Sequence, residues 1–322
     1  MPDLLSVIVP VFNESAVLAD FHRQMSAVMI ETGSDYELIY IDDGSSDNSV
    51  DQLNEIRKAD THVALIELSR NFGKEIALSA GLDHARGDAV IIIDADLQDP
   101  PDLVHTFLEE WRNGYDVVYG RRTDRRGESR TKKLTAKWFY RILNYLSDVE
   151  IPEDVGDFRL LSRRAVDALI SLPERHRYMK GLYAWIGYPQ KSVPYVREPR
   201  EAGESKWNYW RLWNFALEGI TSFSDVPLKV ATYVGVLTSG VAFVYGLFLL
   251  VRTLIWGNPV PGYPSLIIVM LFLGGVQLIC LGIIGEYLAR TFQESKGRAL
   301  YFVKGYHPVK EQLQAEKGEP AS

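Results

Sequence analysis

Two long apolar runs near the C-terminus constrain what this chain can fold into. Residues 230–251 and 266–285 contain no charged side chain, in a sequence that is otherwise 24% charged. As a helix, each run matches the ~20 residues that cross the hydrocarbon core of a bilayer. A buried hairpin in a soluble protein is the competing reading, and two such runs in one chain weigh against it. The connector carries one basic residue, Arg252, with the turn signals Gly257-Asn258-Pro259 and Pro261-Gly262. Lys206, Arg211 and Lys229 lie before the pair; Arg290, Lys296, Arg298 and Lys304 lie after it. The positive-inside rule places both flanks in the cytoplasm and the connector outside. Met1-Pro2-Asp3 opens the chain without the basic region and apolar core of a signal peptide. The expectation is a multi-pass membrane protein with a cytoplasmic head and both termini cytoplasmic.

Two further segments have interfacial character. Residues 132–146 interleave Trp138, Phe139, Tyr140 and Leu143 with Lys133, Lys137 and Arg141; residues 207–223 carry Trp207, Trp210 and Trp213. Aromatic and basic residues both suit a headgroup boundary, although helices packed on the head would show the same pattern. From Arg121 to Arg141 there are nine basic residues and two acidic ones, against a net charge of -7 for the whole chain. That local excess fits anionic lipid or a phosphate-bearing substrate, or simply a solvated face.

The first 121 residues alternate between strand-like and helix-like segments. Strands are expected at 6–11, 37–41, 63–68, 89–93 and 117–119, with helices at 15–31, 49–58, 74–85 and 101–113. Such alternation predicts a mostly parallel sheet covered by helices on both faces. Ligands of these sheets gather at the carboxyl ends of the strands. Polar residues fall there: Asn13 and Glu14 after the first strand, Asp42 and Asp43 after the second, Asp94 and Asp96 after the fourth.

The fourth strand ends abruptly, in Ile91-Ile92-Ile93-Asp94-Ala95-Asp96-Leu97-Gln98-Asp99-Pro100-Pro101. Alternate side chains of an extended chain point the same way, so Asp94 and Asp96 can share a face. Two such carboxylates can hold a divalent cation through hard oxygen ligands, and the cation can stabilise a diphosphate leaving group. Taken alone, an acidic turn before prolines is an ordinary turn.

Other classes are disfavoured. The acidic balance argues against nucleic-acid binding. No Gly-x-Gly-x-x-Gly or Walker-type loop follows the first strand. The one cysteine, Cys280, permits no internal disulfide. The six histidines (His22, His62, His84, His105, His176, His307) lack zinc-ligand spacing.

Four motifs occur in order: Pro10-Val11-Phe12-Asn13-Glu14, Asp42-Asp43-Gly44-Ser45-Ser46-Asp47, Arg70-Asn71-Phe72-Gly73-Lys74 and Asp94-Ala95-Asp96-Leu97-Gln98-Asp99-Pro100. Together they resemble the inverting glycosyltransferases of family two, and within them the polyprenyl-phosphate glycosyltransferases, relatives of dolichyl-phosphate mannose synthase. Gly156-Asp157-Phe158-Arg159-Leu160, Gly203-Glu204-Ser205-Lys206, Asn258-Pro259-Val260-Pro261-Gly262-Tyr263-Pro264 and Gly285-Glu286-Tyr287 extend the likeness to the bactoprenol glucosyltransferases of bacterial O-antigen modification. It runs from about residue 4 to residue 304. The Gln-x-x-Arg-Trp motif of processive synthases does not occur, which favours transfer of a single sugar.

The resemblance implies an α/β GT-A (Rossmann-like) catalytic head at 1–131 and an acceptor-side segment at 132–228. Two transmembrane helices follow within 229–288 (about 230–251 and 266–288), then a cytosolic tail at 289–322. It further implies transfer of glucose from UDP-glucose to undecaprenyl phosphate at the inner membrane of a bacterium, giving a β-linked lipid-phosphate sugar for cell-surface glycan. GDP-mannose or a UDP-aminosugar as donor, or a non-catalytic scaffold that binds nucleotide-sugar, are the alternatives.

By the same resemblance Pro10, Phe12, Glu14, Asp43, Lys74, Asp94 and Ala95 would bind the nucleotide-sugar. Asp94, Asp96 and Gln98 would hold Mg2+ or Mn2+. Asp157 would act as base or orienting group beside Asp94 and Asp96. Arg122, Arg159 and Lys206 would meet the acceptor phosphate. A homo-oligomer, specifically a tetramer, is also implied, and no nucleic-acid partner.

Overall fold

A computed structural model describes residues 3–124, 155–175, 177–196, 224, 226–256 and 262–309. The first half alternates β1 (Leu4–Val11), α1 (Leu18–Thr32), β2 (Asp35–Asp42), α2 (Ser49–Ala59), β3 (Val63–Leu68), α3 (Lys74–His84), β4 (Ala89–Ile92) and α4 (Leu103–Arg112). Next come β5 (Val117–Asp124), β6 (Val155–Ser162), α5 (Arg163–Ser171), α6 (Met179–Trp185) and β7 (Gln190–Val196). Two long helices, α7 (Val226–Trp256) and α8 (Tyr263–Ser295), precede a last strand, β8 (Val303–His307).

The strands form one eight-stranded sheet in the order β7-β5-β6-β4-β1-β2-β3-β8. β1 lies between β2 and β4, parallel to both. Its residues 5–9 are all buried, as a strand covered on both faces requires, so it reads as a nearly unbroken apolar run. Alternate residues supply two cores. Val7, Val9, Leu38, Tyr40 and Ile91 pack with Phe21 and Met25 of α1 and Phe107 of α4. Ile8, Ile39, Ile41, Val90 and Ile92 pack with Leu78 of α3, Leu169 of α5 and Leu182 of α6.

Five strands fall where the sequence predicts them. β5 runs past its expected end at 119 to Asp124, because β7 pairs alongside it. Three strands come from outside residues 1–131. β6 inserts antiparallel between β4 and β5, β7 forms one edge, and β8 pairs antiparallel with β3 at the other. The last lies within 289–322, expected as a tail. Its sequence, Val-Lys-Gly-Tyr-His, offers no apolar alternation to read. Its place depends on long-range bonds: Ser69 donates its amide to the Phe302 carbonyl, at 2.9 Å, and Tyr301 donates to Asp83, at 2.8 Å.

α7 and α8 are long and apolar enough to cross a membrane, with mean hydropathy of 2.2 and 2.0 over their most apolar stretches. They meet near the head: Tyr287 donates to the Ser224 carbonyl at 2.5 Å, and the Cys280 thiol lies 3.8 Å from the Ala231 carbonyl. Glu294, in the last turn of α8, accepts from the amide of Arg175 on the head at 2.8 Å. The expected interfacial helices at 132–146 and 207–223, Lys206 and the connector at 257–261 lie outside the described residues.

Candidate active site

β2 and β3 are laid down on one side of β1 and β4 on the other, so the order in which strands are added reverses between β1 and β4. Ligands of open α/β sheets bind beyond the carboxyl ends of the strands at such a switch point. The residues following β1 and β4 are Phe12, Asn13 and Glu14, and Asp94 to Asp99.

The β1 and β2 ends are stitched together by short polar side chains. Asn13 adopts φ 57°, and its Oδ1 accepts from the amides of Ser46 (2.8 Å) and Asp47 (3.3 Å). Asp43, buried, accepts from the amides of Phe72 (2.7 Å) and Gly73 (2.9 Å), fixing the loop that starts α3. Burial pushes its carboxyl up, against those two amides. Both oxygens of the Asp43 carboxylate, expected at the nucleotide-sugar, thus serve backbone amides. Gly44 is needed where it stands: at φ 71°, a Cβ there would lie 2.6 Å from the Asn71 nitrogen. Pro10 and Glu14 are partly exposed, and Phe12 is 47% exposed.

Asp94 and Asp96 lie just beyond β4, in a turn where Leu97 adopts φ 56°. Asp94, Asp96 and Gln98 are half-buried and alternate with buried Ala95, Leu97 and Asp99. Burial thus alternates through the turn, although these residues lie beyond the extended strand. Asp96 accepts from the Gln98 amide at 3.2 Å.

Lys74, the first residue of α3, places its ammonium 2.6 and 2.8 Å from the two Asp94 oxygens, and it donates to Asp157 of β6 as well. Burial opposes ionisation of Asp157, yet Lys74, Lys180 and Arg159 together hold its carboxyl well below the usual range. Its Oδ1 is buried without a hydrogen-bond partner among the described residues. Glu75, beside Lys74, is pushed up to about 7 by burial and by the Asp157 charge. Burial depresses the Lys180 ammonium, against the attraction of Asp157 and Glu75.

Arg159 is 3% exposed. Its guanidinium stacks 3.5 Å from the Tyr183 ring centroid and donates to the carbonyls of Gly156 (2.9 Å) and Asp157 (3.3 Å). Arg122 is half-buried, with its Nε donating to Tyr195 at 3.3 Å.

The structure therefore gathers Lys74, Asp94 and Asp157, and seats Arg159 beneath Asp157. Lys180, Tyr183 and Tyr195 were not singled out by sequence, because each reaches the site by long-range packing, and Glu75, next to Lys74 in the chain, because only the fold buries it beside Asp157. Asp99 carried a signal, standing three residues after Asp96.

Residues 6–170 match the family model of glycosyl transferase family 2, and residues 226–291 match that of a GtrB C-terminal hairpin. An uncharacterised glycosyltransferase of Synechocystis is 51% identical over 299 residues, covering 93% of this chain and 94% of that protein. A bactoprenol glucosyl transferase of Shigella phage SfV is 48% identical over 300 residues, 93% of this chain and 98% of its own length. A prophage bactoprenol glucosyl transferase homologue of Escherichia coli is 46% identical with the same coverage. With its GT-A head and the apolar hairpin that follows, the chain belongs to glycosyltransferase family 2.

Proposed function

We propose that this protein transfers glucose from UDP-glucose to undecaprenyl phosphate at the cytoplasmic membrane face, with inversion. The observation that carries this reading is the convergence of Asp94 and Asp157 on the Lys74 ammonium, beside the acidic turn at the switch point. Relatives named bactoprenol glucosyl transferases support the sugar and the lipid.

The residues of the turn fit a divalent ion. Asp94 already balances a cation, and Asp94, Asp96 and Gln98 offer hard oxygen donors suited to Mg2+ or Mn2+. Among the described residues no group of three or more His, Cys, Asp or Glu is placed to hold the ion by itself, so donor phosphates and water would complete its shell. Bound there, the ion would supply Lewis-acid stabilisation of the diphosphate leaving group.

The remaining work falls to side chains. Phe12, Pro10 and Glu14 flank the base and ribose; Asp43 shapes that pocket by holding the loop before α3. An acceptor phosphate oxygen attacks the anomeric carbon from the face opposite the diphosphate, the bond to the β-phosphate oxygen breaks, and UDP leaves with the electron pair. A phosphate monoester has its second pKa near ~6 and is its own nucleophile at neutral pH. Asp157, ionised and gripped by Lys74, orients groups around the sugar, while Arg122 and Lys206 bring the two anions together.

At its open end the apolar hairpin is closed by Tyr287 of α8 donating to Ser224, just before α7, and Glu294 at the end of α8 joins it to Arg175 of the head. That arrangement supports two spans with head and β8 on one side. The acceptor phosphate, anchored by its chain in the same membrane, then meets the site at high effective concentration.

Purified full-length protein in detergent, given undecaprenyl phosphate, Mn2+ or Mg2+ and a panel of radiolabelled nucleotide sugars, tests the reading. Metal-dependent label in lipid from UDP-glucose, lost in Asp96→Asn, is expected. Label from another donor replaces the sugar, and no label from any donor overturns the reading.

A further inference from the structure

Asp99 closes the acidic turn and is 1% exposed. Such a carboxylate needs a partner, and it has one far along the chain: the phenol of Tyr195, on the edge strand β7, donates to its Oδ1. With its single proton committed to Asp99, the Tyr195 oxygen is left to accept, and Arg122 Nε donates to it at 3.3 Å. The order of donation is Arg122 to Tyr195 to Asp99, and among the described residues both terminal nitrogens of the guanidinium are left for other acceptors.

Two glycines make room for this arrangement. A Cβ at Gly120 would stand 2.7 Å from the Tyr195 ring, and one at Gly156 would stand 2.8 Å from Arg122 Nη2. Gly156 immediately precedes Asp157. The chain therefore brings the Arg122 guanidinium against the strand that carries Asp157 and links it, through Tyr195, to the turn that carries Asp94 and Asp96.

We propose that Asp99 and Tyr195 are positioning residues that set the Arg122 guanidinium between the acidic turn and Asp157, where it binds the phosphate of the lipid acceptor. This rests on the reading of the site as one that handles a polyprenyl phosphate. Neither residue touches substrate; both act through Arg122.

The test uses full-length protein in detergent. Binding of undecaprenyl phosphate is followed by tryptophan fluorescence, and transfer kinetics are measured against each substrate. Tyr195→Phe keeps the ring against Gly120 and removes only the hydroxyl; Asp99→Asn and Arg122→Ala complete the set, each checked by its melting curve. Tyr195→Phe should weaken acceptor binding and raise the acceptor KM by about tenfold to a hundredfold, with the donor KM unchanged. In an Arg122→Ala background the same change should add nothing, since both remove one interaction. Independent, multiplying effects of the two changes overturn the positioning role alone, as does an unchanged acceptor KM in Tyr195→Phe. Failure of the unaltered protein to bind the acceptor overturns the reading of the site, and the positioning role with it.

Discussion

Lys74 on α3 donates to Asp157 on β6, tying the helix after the Arg70–Lys74 loop to a strand inserted much later in the chain. The same ammonium holds Asp94, so one cation sets the spacing of two carboxylates.

Replacing Lys74 with Met leaves Asp94 and Asp157 facing each other without that charge. Removing one partner of a buried pair costs about 3–5 kcal/mol. Lys74 is 40% exposed, so solvent screening reduces this to about 1–3 kcal/mol. A lower melting temperature and transfer reduced by about a hundredfold are expected; unchanged values for both would show the bridge to be incidental.

Glu75 makes stability depend on pH. Its carboxyl shifts from 4.5 to about 7, chiefly by burial and then by the Asp157 charge. Between those values the folded protein keeps a proton that the unfolded chain releases, so this group's contribution declines as pH rises through about 7. Asp157 acts oppositely: its contribution is present above 3.8 and is lost only in stronger acid. Melting temperatures from pH 5 to 8 should fall more steeply in the native protein than in Glu75→Gln.

Asp94→Asn and Asp96→Asn should each reduce transfer by about a hundredfold or more. Titration with Mn2+ in the presence of UDP should show weaker binding in both. Undiminished Mn2+ affinity would remove the acidic turn from the metal site.

Two glycines with similar backbone angles should respond differently to alanine. At Gly33, with φ 67°, an alanine methyl would meet nothing within 4 Å, whereas at Gly44, with φ 71°, it would lie against the Arg70–Asn71 backbone. Gly33→Ala should cost about 1 kcal/mol of left-handed strain. Gly44→Ala adds a clash with main chain that has no rotamer to yield, and should melt at a lower temperature than Gly33→Ala and bind UDP more weakly.

Local pattern made much of this legible in the sequence. Strands buried on both faces must be apolar throughout, so β1 and β4 announce themselves, and uncharged runs of membrane length mark α7 and α8. The Asp94–Asp96 turn was visible because charge follows an apolar strand so abruptly. β8 was not visible, since a short edge strand with exposed side chains carries little pattern and is placed by β3. Nor were Glu75, Lys180 and Tyr195, whose roles come from strand insertion.

The sequence by itself determined the first five strands, the four helices among them and the two apolar spans, because burial imposes its periodicity residue by residue. Only the tertiary structure decided that Lys74 meets Asp157 and that Tyr195 meets Asp99. Those contacts depend on β6 entering antiparallel between β4 and β5 and on β7 joining β5, and strand order is set by long-range packing that no local pattern records.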